Sequence, residues 1–172
     1  MIARIALRRA GSAKARMESV VEQLALPDDW TDDDFVRAVE AARERTMLLL
    51  PLPSTAAVGL CGVWFATESA DVVFHRPAFD PAIRRNTIGH ECWHVLCNHG
   101  SDTKLTPDEL ATLLTGIDLA EHGLDIGEFR AARGLTDYDD PEEYEAEMFA
   151  TMIATRATPL AARKRDRLLR AF

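Results

Sequence analysis

The chain reads as an α+β domain, a small twisted sheet packed against a central helix with additional helices around it. Three observations predict this. Residues 47–50, 58–66 and 71–75 are short apolar runs, rich in β-branched and aromatic residues and bounded by turn formers, as strands are. Segments opening at Asp80, Thr106 and Asp140 each begin with a capping residue followed by proline, a helix-start signature. No repeat or low-complexity linker divides the 172 residues, so a single domain over 1–172 is expected.

The elements follow in order. Residues 13–25 look helical, and residues 31–45 more so. Thr31 and Asp34 can cap the second helix, Phe35, Val36 and Val39 give it an apolar side, and the acids from Asp28 to Asp34 suit the positive end of its dipole. Together these form an N-terminal helical segment, 1–45. Residues 47–50 read as a buried strand ended by Pro51 and Pro53. The runs 58–66 and 71–75 read as two strands joined around Thr67-Glu68-Ser69. Asp80 and Pro81 then open a helix with no proline before position 107. Thr106 and Glu109 make a capping box for another. A short helix is expected over residues 125–133, stopped by Gly134. A helix opened by Asp140-Pro141 runs to about residue 157, and a basic one, 158–172, follows as a solvated amphipathic face.

The helix opened by Asp80 carries His90-Glu91-Cys92-Trp93-His94. Histidines four apart lie one above the other on a helix face and can hold one zinc ion. Glu91 projects about 100° round the same helix, within reach of a water on that ion. Zinc lowers the pKa of such a water to about 7, and a neighbouring carboxylate can take its proton. The chemistry implied is metal-assisted hydrolysis, most often of a peptide bond. The bare pattern arises by chance in roughly one shuffled chain of this composition in a hundred, so its helical context carries much of the weight.

A hydrolytic zinc site usually has three protein ligands. The third is sought among the glutamates of residues 141–151. There Glu143 and Glu147 share a face; one could bind zinc and the other accept the free N–H of a ligating imidazole. Spacing alone leaves an alternative open, because Glu143 stands three residues after Asp140 and could complete a capping box.

The stretch from Val58 to His75, the segment Arg85-Asn86-Thr87-Ile88-Gly89-His90-Glu91-Cys92-Trp93-His94, and Glu143-Tyr144-Glu145-Ala146-Glu147-Met148-Phe149-Ala150 together resemble the ImmA/IrrE-like metallopeptidases. These are cytosolic zinc proteases of bacteria and phages, often encoded beside a helix-turn-helix repressor. The resemblance spans roughly residues 45–155. It implies a zincin-like core over 46–157, with one zinc ion held by His90, His94 and Glu143, Glu91 as catalytic base, and Glu147 supporting a ligand histidine. It also implies that substrate lies along an exposed edge strand of the 58–75 hairpin, bound by β-augmentation. The partner implied is a repressor encoded nearby. The chain departs from the family at Cys92 and Trp93, where an aliphatic or Phe residue and then Gly are common, and at Glu147, where Asn is usual. Trp93 is expected to narrow one wall of the cleft.

The remaining features bound the reading. A net charge of −8 argues against nucleic acid as the main partner. No apolar run approaches the roughly 18 residues of a membrane span, and arginine interrupts the apolar N-terminus, so a cytoplasmic protein is expected. Three cysteines suit a reducing compartment; Cys61 and Cys97 read as core thiols, and no CxxC pair offers a structural zinc site. His99 falls on the helix face opposite His90 and reads as a satisfied structural histidine. Tyr138, Tyr144, His122 and His75 are weaker candidates for stabilising an oxyanion. The expected function is that of a zinc-dependent endopeptidase acting on a cytosolic protein. Two other classes are a zinc-bearing binding module that does not cleave, such as an anti-repressor or toxin–antitoxin component, and a structural protein in which HExxH is accidental.

Overall fold

The structure, a computed structural model, describes residues 12–56, 60–78, 80–99, 106–125, 127, 129, 131–133 and 140–156. The expected helix at 158–172, residues 1–11 and Tyr138 lie outside them. The described residues form an α+β fold. Helices α1 (Ala13–Gln23) and α2 (Asp32–Arg43) come first, then β1 (Thr46–Pro51), β2 (Gly62–Ala66) and β3 (Ala70–His75). The long helix α3 (Pro81–Cys97) follows, then α4 (Pro107–Leu113), a 3-10 turn (Ala120–His122), β4 (Ala131–Arg133) and α5 (Pro141–Arg156).

The sheet is mixed, in the order β1-β3-β2-β4. β1 runs parallel to β3, and β2 is antiparallel to both β3 and β4. Side chains alternate along β1, β2 and β3, so each of these strands feeds two cores. Met47, Leu49, Trp64 and Val73 join the larger core, with Met17, Phe35, Val39, Trp93 and Phe149 from α1, α2, α3 and α5. Leu48, Leu50, Val63, Phe65, Val72 and Phe74 join the smaller one, covered by Leu110, Leu114, Leu119, Leu124 and Phe129. With both faces covered, β3 is buried throughout, which is why its sequence shows no polar alternation. Pro51 is tolerated because β1 is an edge strand.

The β2–β3 turn is fixed by Thr67. Its backbone N–H and its hydroxyl both donate to the Ala70 carbonyl at 2.9 Å, and the hydroxyl accepts from the Ala70 N–H at 2.9 Å. Arg45 donates to the carbonyls of Thr67 and Ala70 at 2.8 and 3.0 Å. Below the turn, buried Asp71 faces Arg43 Nε at 3.2 Å and Arg45 Nε at 3.4 Å. This ion cluster ties the end of α2 to β3, because a buried carboxylate must be paired to remain charged.

Two expectations are corrected. The helix expected over residues 125–133 is not formed at its end, where Ala131–Arg133 is a strand pairing with Trp64–Ala66. Alanine and arginine favour helix locally, but pairing along β2 overrides that weak preference. By the same pairing, the hairpin does not offer an edge strand open along its length, since β4 covers the Trp64–Ala66 portion of β2.

Candidate metal centre

Helix α3 starts where Asp80 caps it, accepting from the Ala82 N–H at 2.8 Å, with Pro81 in its first turn. Asp140 does the same for α5, accepting from the Glu142 N–H at 2.9 Å. The two helices pack closely because the contact is made by small residues. A Cβ added at Gly89 would lie 3.2 Å from the Ala150 Cα, and Ala146 and Ala150 are fully buried. This close approach, one residue before His90, carries Glu143 to the histidines.

The donor atoms converge. His90 Nε2 lies 3.1 Å from Glu143 Oε2 and 3.2 Å from His94 Nε2, and His94 Nε2 lies 3.3 Å from Glu143 Oε1. Tetrahedral bonds of about 2.0–2.1 Å to zinc would space their ligand atoms about 3.3–3.4 Å apart. The two histidine nitrogens and the nearer Glu143 oxygen to each are thus separated by distances of that size, and one donor atom from each of the three residues lies within 4.8 Å of the others, so His90, His94 and Glu143 form a group that could hold a metal ion. The Glu143 carboxylate therefore faces the histidines, which spacing alone had left open against a capping role.

The local field favours a cation. Burial pushes the His90 pKa down, but the hydrogen bond to Glu143 and the negative charges of Glu91, Glu143 and Glu147 more than offset it, leaving the pKa raised. Glu91 is 5 % exposed, and its carboxylate occupies a niche that exists because residue 62 is glycine. A Cβ at Gly62 would fall 2.4 Å from Glu91 Oε1. No sequence signal marked Gly62; its role depends on β2 lying across α3.

The nitrogen of each histidine turned away from the convergence point also meets a polar group. Glu147 Oε2 stands 3.7 Å from His90 Nδ1, on a side chain that is largely exposed. His94 Nδ1 is 3.0 Å from His99 Nδ1. The sequence expectation put His99 on the face opposite His90, but α3 ends at Cys97 and Asn98 turns left-handed, with φ 56°. His99 is thereby folded back beside His94, where its backbone N–H donates to the His94 carbonyl at 3.0 Å.

Other sequence candidates fall elsewhere. Trp93 does not narrow the cleft: it is fully buried, with its ring centroid 4.7 Å from that of Phe149. Position 93 is one step round the helix from the donors, toward the larger core. Cys92 is buried with it, and burial drives its thiol pKa up. Burial likewise pushes half-buried Cys97 up to about 12, whereas Cys61 is exposed just before β2, contrary to its reading as a core thiol. Tyr144 is 66 % exposed, lining an open groove on α5 with Met148 and Met152. His122 is exposed in the segment that packs against the opposite face of the sheet, so it is not brought to the donors. His75 is buried at the end of β3, where burial lowers its pKa. Among the described residues no helix is long and apolar enough to cross a membrane. No family model, curated protein or solved structure matches the chain.

Proposed function

We propose that this protein is a zinc-dependent endopeptidase with a zincin-like core, acting on a cytosolic protein, with a helix-turn-helix repressor encoded nearby as the favoured substrate. The observation that carries the reading is the convergence of His90, His94 and Glu143, with Glu91, the next residue on α3 after His90, close enough for its negative charge to act on that histidine. The resemblance of the HExxH and Glu143–Ala150 segments to ImmA/IrrE-like peptidases supplies the substrate class.

Zinc bound there would polarise a peptide carbonyl and make water nucleophilic near neutral pH. Glu91 accepts the proton that the attacking water loses as the new C–O bond forms. It then returns that proton to the amide nitrogen as the C–N bond breaks, so one carboxylate serves as base and then acid. Its niche against Gly62 restricts the directions in which the carboxylate can point. His90, His94 and Glu143 contribute two neutral donors and one anion, which leaves a bound ion net positive toward a carbonyl oxygen.

The test is incubation of the purified protein with the product of the neighbouring regulator gene, with zinc and with a chelator. Wild type is expected to produce fragments that the chelator abolishes. Glu91→Gln keeps the size of the side chain but cannot accept the proton, so cleavage should fall about 10²–10⁴-fold while partner binding is retained. Equal cleavage by both proteins would exclude this mechanism. Binding without fragments would favour the docking module.

A further inference from the structure

We propose that His99, backed by Glu142, is a positioning residue that fixes the tautomer and ring orientation of His94. The inference rests on the metal-binding part of the reading above and needs no peptidase activity. His94 Nε2 points at the convergence point, 3.2 Å from His90 Nε2 and 3.3 Å from Glu143 Oε1. To offer a lone pair there, a neutral imidazole must carry its proton on Nδ1. The His94 side chain is only 2 % exposed, so solvent contributes little and a protein acceptor is required. His99 Nδ1 is that acceptor, at 3.0 Å. Accepting at Nδ1 sends the proton of His99 to its own Nε2, and the Glu142 carboxylate, 3.9 Å from that nitrogen, favours a proton there by its charge and not by a hydrogen bond. The hydrogen bond from His94 Nδ1 to His99 then keeps the metal-facing nitrogen of His94 unprotonated.

The pair exists because of the helix terminus. On a continuous helix, residue 99 would sit about 140° round from residue 94. Asn98 instead adopts φ 56° and ψ 36°, donating its backbone N–H to the carbonyls of His94 and Val95. Its side-chain oxygen accepts from Arg43 Nη2 at 3.2 Å, which anchors the turn to α2.

Competitive titration of zinc against a chelator tests the proposal on the full chain. His99→Phe keeps a ring but removes the acceptor, and should weaken zinc binding about 10–100-fold, the usual effect of losing such a partner. His99→Asn puts an oxygen close to where Nδ1 stood and should restore most of the affinity. His99→Gln puts its oxygen nearer the Nε2 position and should not. Melting of the metal-free variants separates this effect from general destabilisation, and should rank them differently from zinc affinity. If His99→Phe does not fold, the Asn-against-Gln comparison decides. Wild-type affinity in His99→Phe, or equal affinities for Asn and Gln, would overturn the proposal and leave the metal centre standing. Absence of zinc binding by wild type would remove both.

Discussion

Glu91 and Glu143 stand at the residue scale as two buried or half-buried carboxylates with separate tasks, one turned toward β2 and one toward the histidines. The niche at Gly62 yields a direct expectation. In Gly62→Ala the three atoms nearest the new methyl would all belong to the Glu91 side chain, Oε1, Cδ and Cγ, so the carboxylate should move while the strand stays. Zinc content and melting temperature should be close to wild type, and kcat should fall at least about tenfold, since the base is displaced but not removed. An unchanged kcat would show that the carboxylate tolerates displacement. On α5, Glu143→Ala should weaken zinc binding most, because it deletes a donor. Glu147→Ala should weaken it less, about 10–100-fold, because Glu147 reaches only the far nitrogen of His90. Glu145→Ala should leave zinc binding intact, because Glu145 pairs with Arg16 of α1. Zinc titration of the three variants checks the order, and a dominant effect at Glu145 would place the donor on the wrong side of α5.

At the scale of elements, the crossing of α3 and α5 determines whether the donors meet. Gly89 and Ala150 set the distance between the helices, so Gly89→Leu should push them apart and abolish tight zinc binding. It should also lower stability by about 1–3 kcal/mol through overpacking. Zinc titration and denaturant unfolding measure the two effects, and retained tight binding in Gly89→Leu would show that this crossing does not set the donor distances. The elements easiest to read from sequence were those with local causes. The Thr31–Asp34 and Thr106–Glu109 capping boxes and the Asp80-Pro81 helix start each lie within four residues, and all three are formed. One misreading has a distant cause: β4 depends on β2, more than sixty residues earlier. The other is local, because the position of His99 depends on its neighbour Asn98, a residue type that tolerates the left-handed conformation and ends helices.

At the scale of the whole molecule, the sheet separates two cores, and the donors belong to the helical side, where α3 and α5 cross. The two histidines were legible because four-residue spacing on a helix is a local rule. Glu143 was not settled in the same way, since it lies 53 residues from His90 and only packing joins them. The central claim is that packing α5 on α3 builds a three-donor metal centre. Elemental analysis of protein purified without added metal or chelating resin tests it most directly. Wild type should carry one zinc per chain, and a His90→Ala, His94→Ala double variant, verified as folded, should carry essentially none. A wild type without metal even after zinc is supplied, or a double variant as fully loaded as wild type, would contradict the claim.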